Sequence, residues 1–130
     1  MEEILKYLRE CQTFYIATMD GDQPRVRPFG AVAEFEGRLY FITNNQKNVF
    51  KQMSMNPKIE ISGVNKGTWI RLEAKAVVDS RREAREKMLS ENPSLSRMYS
   101  VDDGIMEVLY LQNATATISS FTAAPKVIKF

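Results

Sequence analysis

The chain has no histidine and a single cysteine, Cys11. Without them it cannot assemble a His/Cys zinc site, a His-ligated haem, or a Ser–His or Cys–His nucleophilic pair. One cysteine also rules out an internal disulfide framework, so a reducing, cytoplasmic setting is expected. No apolar run approaches the ~18 residues that a membrane span needs, and the first residues, MEEILKYLRE, lack a signal-peptide pattern. Net charge is only +2, and the 18 lysines and arginines alternate with 16 acids, so no basic stripe marks a nucleic-acid partner. No acid cluster is tighter than Asp102-Asp103, which reads as a polar turn. By exclusion, any chemistry here calls for a bound organic cofactor that supplies the reactive atoms.

What is present fits one soluble domain over residues 1–130. Ile4, Leu5, Leu8 and Cys11 share one face of a helix over 1–12, which makes Cys11 a small buried hydrophobe. Strands are expected at 13–20, 25–35, 38–43, 58–65, 68–79, 106–112 and 115–121, with a further one at 127–130. Asp20-Gly21 and Glu36-Gly37 supply tight turns. Val49, Phe50 and Met53 switch to a helical period, which Asn56-Pro57 stops. Ser80 and Glu83 read as a capping box for the next helix, and Pro93 opens a shorter one. Short turns between consecutive strands imply antiparallel pairing, and so many strands in so small a domain imply a barrel plugged by helices.

Three stretches break the patterns around them. In QPRVRPFGAV (23–32), Arg25, Arg27 and Phe29 share a parity with Ala31, Ala33 and Phe35, so one face begins cationic and turns apolar. Pro28 withholds a ladder donor there, and Gly30 permits close approach of a ligand or another backbone. An edge strand with solvated arginines fits the same residues. In TNNQKNVFK (43–51), Asn44 or Asn45 serves as helix N-cap, and the first turn carries Lys47 and no acid. Lysine there opposes the helix dipole, which a phosphate at the N-terminus would relieve; solvated lysines are the alternative. In TWIRLEAKAVVD (68–79), Ile70, Leu72, Ala74 and Ala76 face inward. Trp69, the only tryptophan, lies on the polar side, a place for an aromatic that covers a ligand or enters an interface.

With these stretches in view, the chain resembles the pyridoxamine 5′-phosphate oxidase-like, FMN-binding split-barrel family, in its short subgroup that includes nitroimidazole-resistance proteins. QPRVRPFGAV, LYFITNNQKNVFKQMSMNPKIEIS (39–62) and WIRLEAKAVVD carry the resemblance, in order, over essentially the whole chain. It implies a mainly β fold, a six-stranded antiparallel split β-barrel with short helices. It also implies a homodimer with FMN in grooves between subunits. Carried over by position, Arg25 and the segment Arg27, Pro28, Phe29 and Gly30 line the flavin ring, with arginine near its pyrimidine edge. Ile42 and Thr43 contact ring and ribityl chain, Asn44, Lys47 and Asn48 hold the phosphate, and Trp69 reaches the flavin from the second subunit. Family members carry a more basic run where this chain has Gln46-Lys47-Asn48, which implies fewer charge-assisted bonds to phosphate. The C-terminal substrate segment of the true oxidases has no counterpart here, so vitamin B6 oxidation is not expected. The histidine of the nitroimidazole-resistance members is absent too.

The expected function is therefore flavin-dependent oxidation–reduction of a small molecule, with a nicotinamide nucleotide as donor and no membrane or nucleic-acid partner. A flavin-binding carrier or redox sensor without turnover is the alternative. A cofactor-free barrel that binds oligonucleotides or acts as an interaction module is a third reading.

Overall fold

Apolar residues recur every two or every three to four positions along the chain, and most stretches form the element that their period dictates. In the computed structural model, which describes Met1–Phe130, the order is α1 (Glu2–Cys11), β1 (Phe14–Asp20), β2 (Gln23–Phe29), β3 (Val32–Phe35), β4 (Arg38–Asn44) and α2 (Asn48–Met55). There follow β5 (Lys58–Asn65), β6 (Thr68–Asp79), α3 (Arg82–Glu91), a 3₁₀ turn (Pro93–Arg97), β7 (Met106–Ser120) and β8 (Lys126–Lys129).

The expected six-stranded barrel does not form. All eight strands join one antiparallel sheet in the order β2-β1-β5-β6-β7-β4-β3, with β8 on β7, and the sheet is not closed, because no ladder joins β2 to β3. These two end strands are consecutive in sequence, separated only by Gly30-Ala31. The sheet must therefore bend until its ends lie within about 11 Å, the reach of that link. Where a barrel would carry hydrogen bonds, the chain itself crosses the gap. Pro24 and Pro28 lie in β2 and offer no N–H, which suits an edge and not a closing ladder.

Two features account for the strand count. The single strand expected over 25–35 breaks at Gly30-Ala31, and the break changes which face is buried. Phe29 and Val32 pack in the main core with Leu39, Phe41, Ile61, Ile70 and Leu72, whereas Ala31, Ala33 and Phe35 join a second cluster beneath α3. The two strands expected at 106–112 and 115–121 are instead one, β7. Its register against β6 shifts between Glu73 and Lys75, so Asn113 and Ala114 stand opposite Ala74 alone. Asn113 takes φ 54° there, a bulge that resembles a turn in sequence.

The main core lies between the sheet, α1 and α2. Ile4, Leu5 and Leu8 supply α1's buried face, Val49 and Met53 that of α2, and Ile70, Leu72, Ala74 and Ala76 the inward row of β6, as their spacing requires. Gly63 sets how closely α1 approaches. A Cβ at that position would lie 3.0 Å from Cys11 Sγ. Burial pushes the Cys11 thiol above its ordinary pKa, with Glu10 adding to the effect, which fits packing and not reactivity.

Candidate functional site

The route from β4 into α2 builds one end of the site. Asn44 Oδ1 accepts the Gln46 N–H (3.1 Å), which fixes the amide so that Nδ2 donates to the Tyr99 hydroxyl (3.0 Å). Asn45 Nδ2 donates to Gly104 O at 2.9 Å, tying this turn to the loop before β7. Neither asparagine caps the helix. The N-cap of α2 is Lys47, extended at φ −83° and ψ 146°, with no side-chain cap and no acid in the first turn. The N–H groups of Asn48, Val49 and Phe50 therefore lack partners within the helix.

A cleft of about 380 Å³ opens beside this turn. Arg27, Pro28, Phe29, Gly30 and Ala31 form one side, Ile42, Thr43, Lys47 and Val49 the floor and one end, and Asn92, Ser94, Leu95, Met98 and Tyr99 the far wall. Two cations line it and no acid does. Arg27 Nη1 donates to Thr18 Oγ1 (2.7 Å) and Nη2 to Gln52 Oε1 (2.8 Å), while Thr18 Oγ1 donates to Gln52 Oε1 (2.6 Å). This triangle holds the guanidinium between β1, β2 and α2 without neutralising it. Burial first, and neighbouring Arg25 second, lower the Arg27 pKa below its usual value. Thr43 is 3 % exposed, and its Oγ1 is the one buried side-chain polar atom without a hydrogen-bond partner. Such an atom calls for a partner that the chain itself does not supply.

The structure thus brings together Arg27, Pro28, Phe29, Gly30, Ile42, Thr43 and Lys47 of the residues singled out in the sequence. Asn44 stands behind the cleft, bonded to Tyr99. Arg25 is exposed at the far end of β2, where Nε meets Asp20 Oδ2 at 3.3 Å. Asn48 lines a neighbouring cavity of about 520 Å³ with Lys51 and Gln52, on the other side of α2. Trp69 lies half-buried on the outer face of β6, its ring 5.0 Å from that of Phe121. The far wall was not foreseen. Leu95, Met98 and Tyr99 show helical spacing in sequence, but nothing local says that they stand opposite β4.

The one buried carboxylate has a structural task away from the cleft. Asp79 takes hydrogen bonds from the Arg81 guanidinium, the Arg81 N–H (3.0 Å) and the Tyr40 hydroxyl (2.7 Å), and Arg81 also forks onto Glu36. The expected capping box is thereby replaced. The N-cap of α3 is Arg81, not Ser80, and Asp79 takes the turn's N–H instead. Arg81's hydrogen bonds, reinforced by Tyr40 against the cost of burial, hold the Asp79 pKa down at about 2. Burial and the bond to Asp79 push the Tyr40 hydroxyl up to about 12.

The chain matches the pyridoxamine 5′-phosphate oxidase family over residues 1–123. Its fold superposes with a TM-score of 0.98 on the crystal structure of a NimC/NimA family protein from Clostridium acetobutylicum, 53 % identical, over 100 % of this chain and 92 % of that one. General Stress Protein 26 from Bacillus anthracis shares the fold at 18 % identity and a TM-score of 0.77, over 99 % of this chain and 98 % of that one. A heme binding protein from Mycobacterium smegmatis does so at 13 % and 0.69, over 94 % of this chain and 57 % of that one. No curated protein sequence matches the chain. The chain therefore belongs to the pyridoxamine 5′-phosphate oxidase family, in its NimC/NimA group.

Proposed function

We propose that this protein binds FMN in the cleft beside α2 and uses it for oxidation–reduction of a small molecule, as a homodimer. The observation that carries the reading is the buried, unpartnered Thr43 hydroxyl in an acid-free cleft whose two cations have no carboxylate partner. Those features suit a planar, polar-edged anion. Thr43 Oγ1, Lys47 and the free N–H groups at the start of α2 would receive phosphate and ribityl oxygens. Arg27 would meet the polar edge of the ring, Pro28, Phe29 and Gly30 its face, and Ile42 would exclude water. Asn44 supports from behind, Asn48 offers its backbone N–H at the start of α2, and Arg25, paired with Asp20, lies outside the cleft. Bound FMN supplies hydride transfer at its N5 atom, and the chain supplies binding and orientation.

The dimer rests on the outer face of the sheet. Tyr15 (47 % exposed), Val26 (67 %), Val64 (70 %) and Val127 (56 %) share that face with Trp69 by strand register, and the ring of Phe121 (94 %) lies tilted against that of Trp69. Exposed apolar side chains set among Ser62, Arg71 and Thr117 on one sheet face suit an interface with an apolar and polar mix. Because Pro28 pairs with Tyr15, this face runs to the rim of the cleft, and a second copy seated on it would bring its own Trp69 towards the flavin. A non-catalytic flavin carrier is the second reading. It is favoured by a lining that holds no carboxylate or histidine for proton transfer.

Anaerobic addition of NADH or NADPH to the FMN-loaded protein, followed by an electron acceptor, separates the two. Bleaching of the flavin and its recovery over repeated cycles support an oxidoreductase. Flavin that stays oxidised with both nucleotides leaves the carrier.

A further inference from the structure

We propose that Tyr99 is a phosphate-binding residue of this cleft, an assignment that rests on the flavin reading. The Asn44 amide is oriented by the Gln46 N–H, so its Nδ2 must donate to Tyr99, and the tyrosine hydroxyl accepts. The hydroxyl's own proton finds no acceptor in the chain, and the residue lines the cleft. Tyr99 is joined through Asn44 to the turn that starts α2. Its free proton therefore sits at the same end as Lys47, the unpartnered Thr43 hydroxyl and the free helix N–H groups. A proton donor, a cation and an orphan hydroxyl around one helix start match the several acceptor oxygens of a phosphate monoester. The oxidised flavin ring is neutral and offers no full negative charge to meet the lysine. The loop carrying Tyr99 is held in place independently of any ligand. Arg85 Nε donates to Val101 O (2.8 Å), Arg82 pairs with Asp102 (3.0 Å), and Asp103 accepts the N–H groups of Ser100, Ile105 and Met106. Tyr99 is thus preset, and ligand binding need not order it.

The test compares FMN with riboflavin, its phosphate-free counterpart, on wild-type protein and Tyr99→Phe by fluorescence titration, with thermal melting of both unliganded proteins. The variant keeps the ring and loses the hydroxyl, together with its bond from Asn44 Nδ2. The expected result is FMN affinity reduced about tenfold, the scale of one hydrogen bond to a charged group, with riboflavin affinity unchanged and the unliganded melting temperature lowered only by the loss of the Asn44 bond. Equal losses for both flavins, or no loss for either, would overturn the assignment while leaving the flavin reading intact. Wild-type protein that takes up neither flavin would overturn both.

Discussion

At the scale of single residues, the molecule treats its ionisable groups in two opposite ways. Asp79 is fully answered by Arg81 and Tyr40, whereas Arg27 and Lys47 are left without counter-charge. The first arrangement contributes stability, and its pH dependence follows. The folded Asp79 pKa, about 2, lies below the ordinary 3.8. Its contribution is therefore fully present above about pH 4 and lost as pH falls through 2. A shift of this size corresponds to roughly 2 kcal/mol. Asp79→Asn is expected to lower stability by about that amount at neutral pH. In thermal melts between pH 2 and 7, the variant should also lose part of the acid-induced fall that the wild type shows. Identical acid profiles would mean that the carboxylate is not the pinned charge.

At the scale of elements, the start of α2 shows a helix that gives up stability. Its N-cap has the extended backbone of a good cap, yet carries lysine and no side-chain hydrogen bond. Lys47→Ser should raise unliganded stability by about 0.5–1 kcal/mol, since serine caps and lysine opposes the dipole. FMN affinity should fall at least tenfold, because a charge-assisted bond to phosphate is lost. Chemical denaturation and FMN titration on the same sample read both. Raised stability with unchanged FMN affinity would move the phosphate elsewhere. The sequence revealed this helix and its uncomfortable lysine, because period and charge are local. It also revealed β5 and β6 at their observed bounds, because Ile70, Leu72, Ala74 and Ala76 alternate cleanly. It misled where a local signal had two meanings. Asn113 marks a bulge and not a turn, Gly30 ends a strand that parity alone would continue, and Ser80 lies one residue before the N-cap, Arg81. Tyr99 went unseen because its place in the cleft depends on a contact with Asn44, 55 residues away.

At the scale of the whole molecule, an open sheet whose ends are bridged by Gly30-Ala31 leaves two surfaces unsatisfied. One is the cleft at the junction, with its orphan hydroxyl. The other is the apolar outer face that carries Trp69, Val64 and Phe121. In the proposed dimer, a second copy covering the face would also wall the cleft. Sedimentation velocity of the protein with FMN, followed at the flavin's own absorbance, tests both halves together. Flavin should travel with a particle of twice 14.9 kDa. Protein sedimenting as a single 14.9 kDa chain, with the flavin left behind in solution, would contradict it.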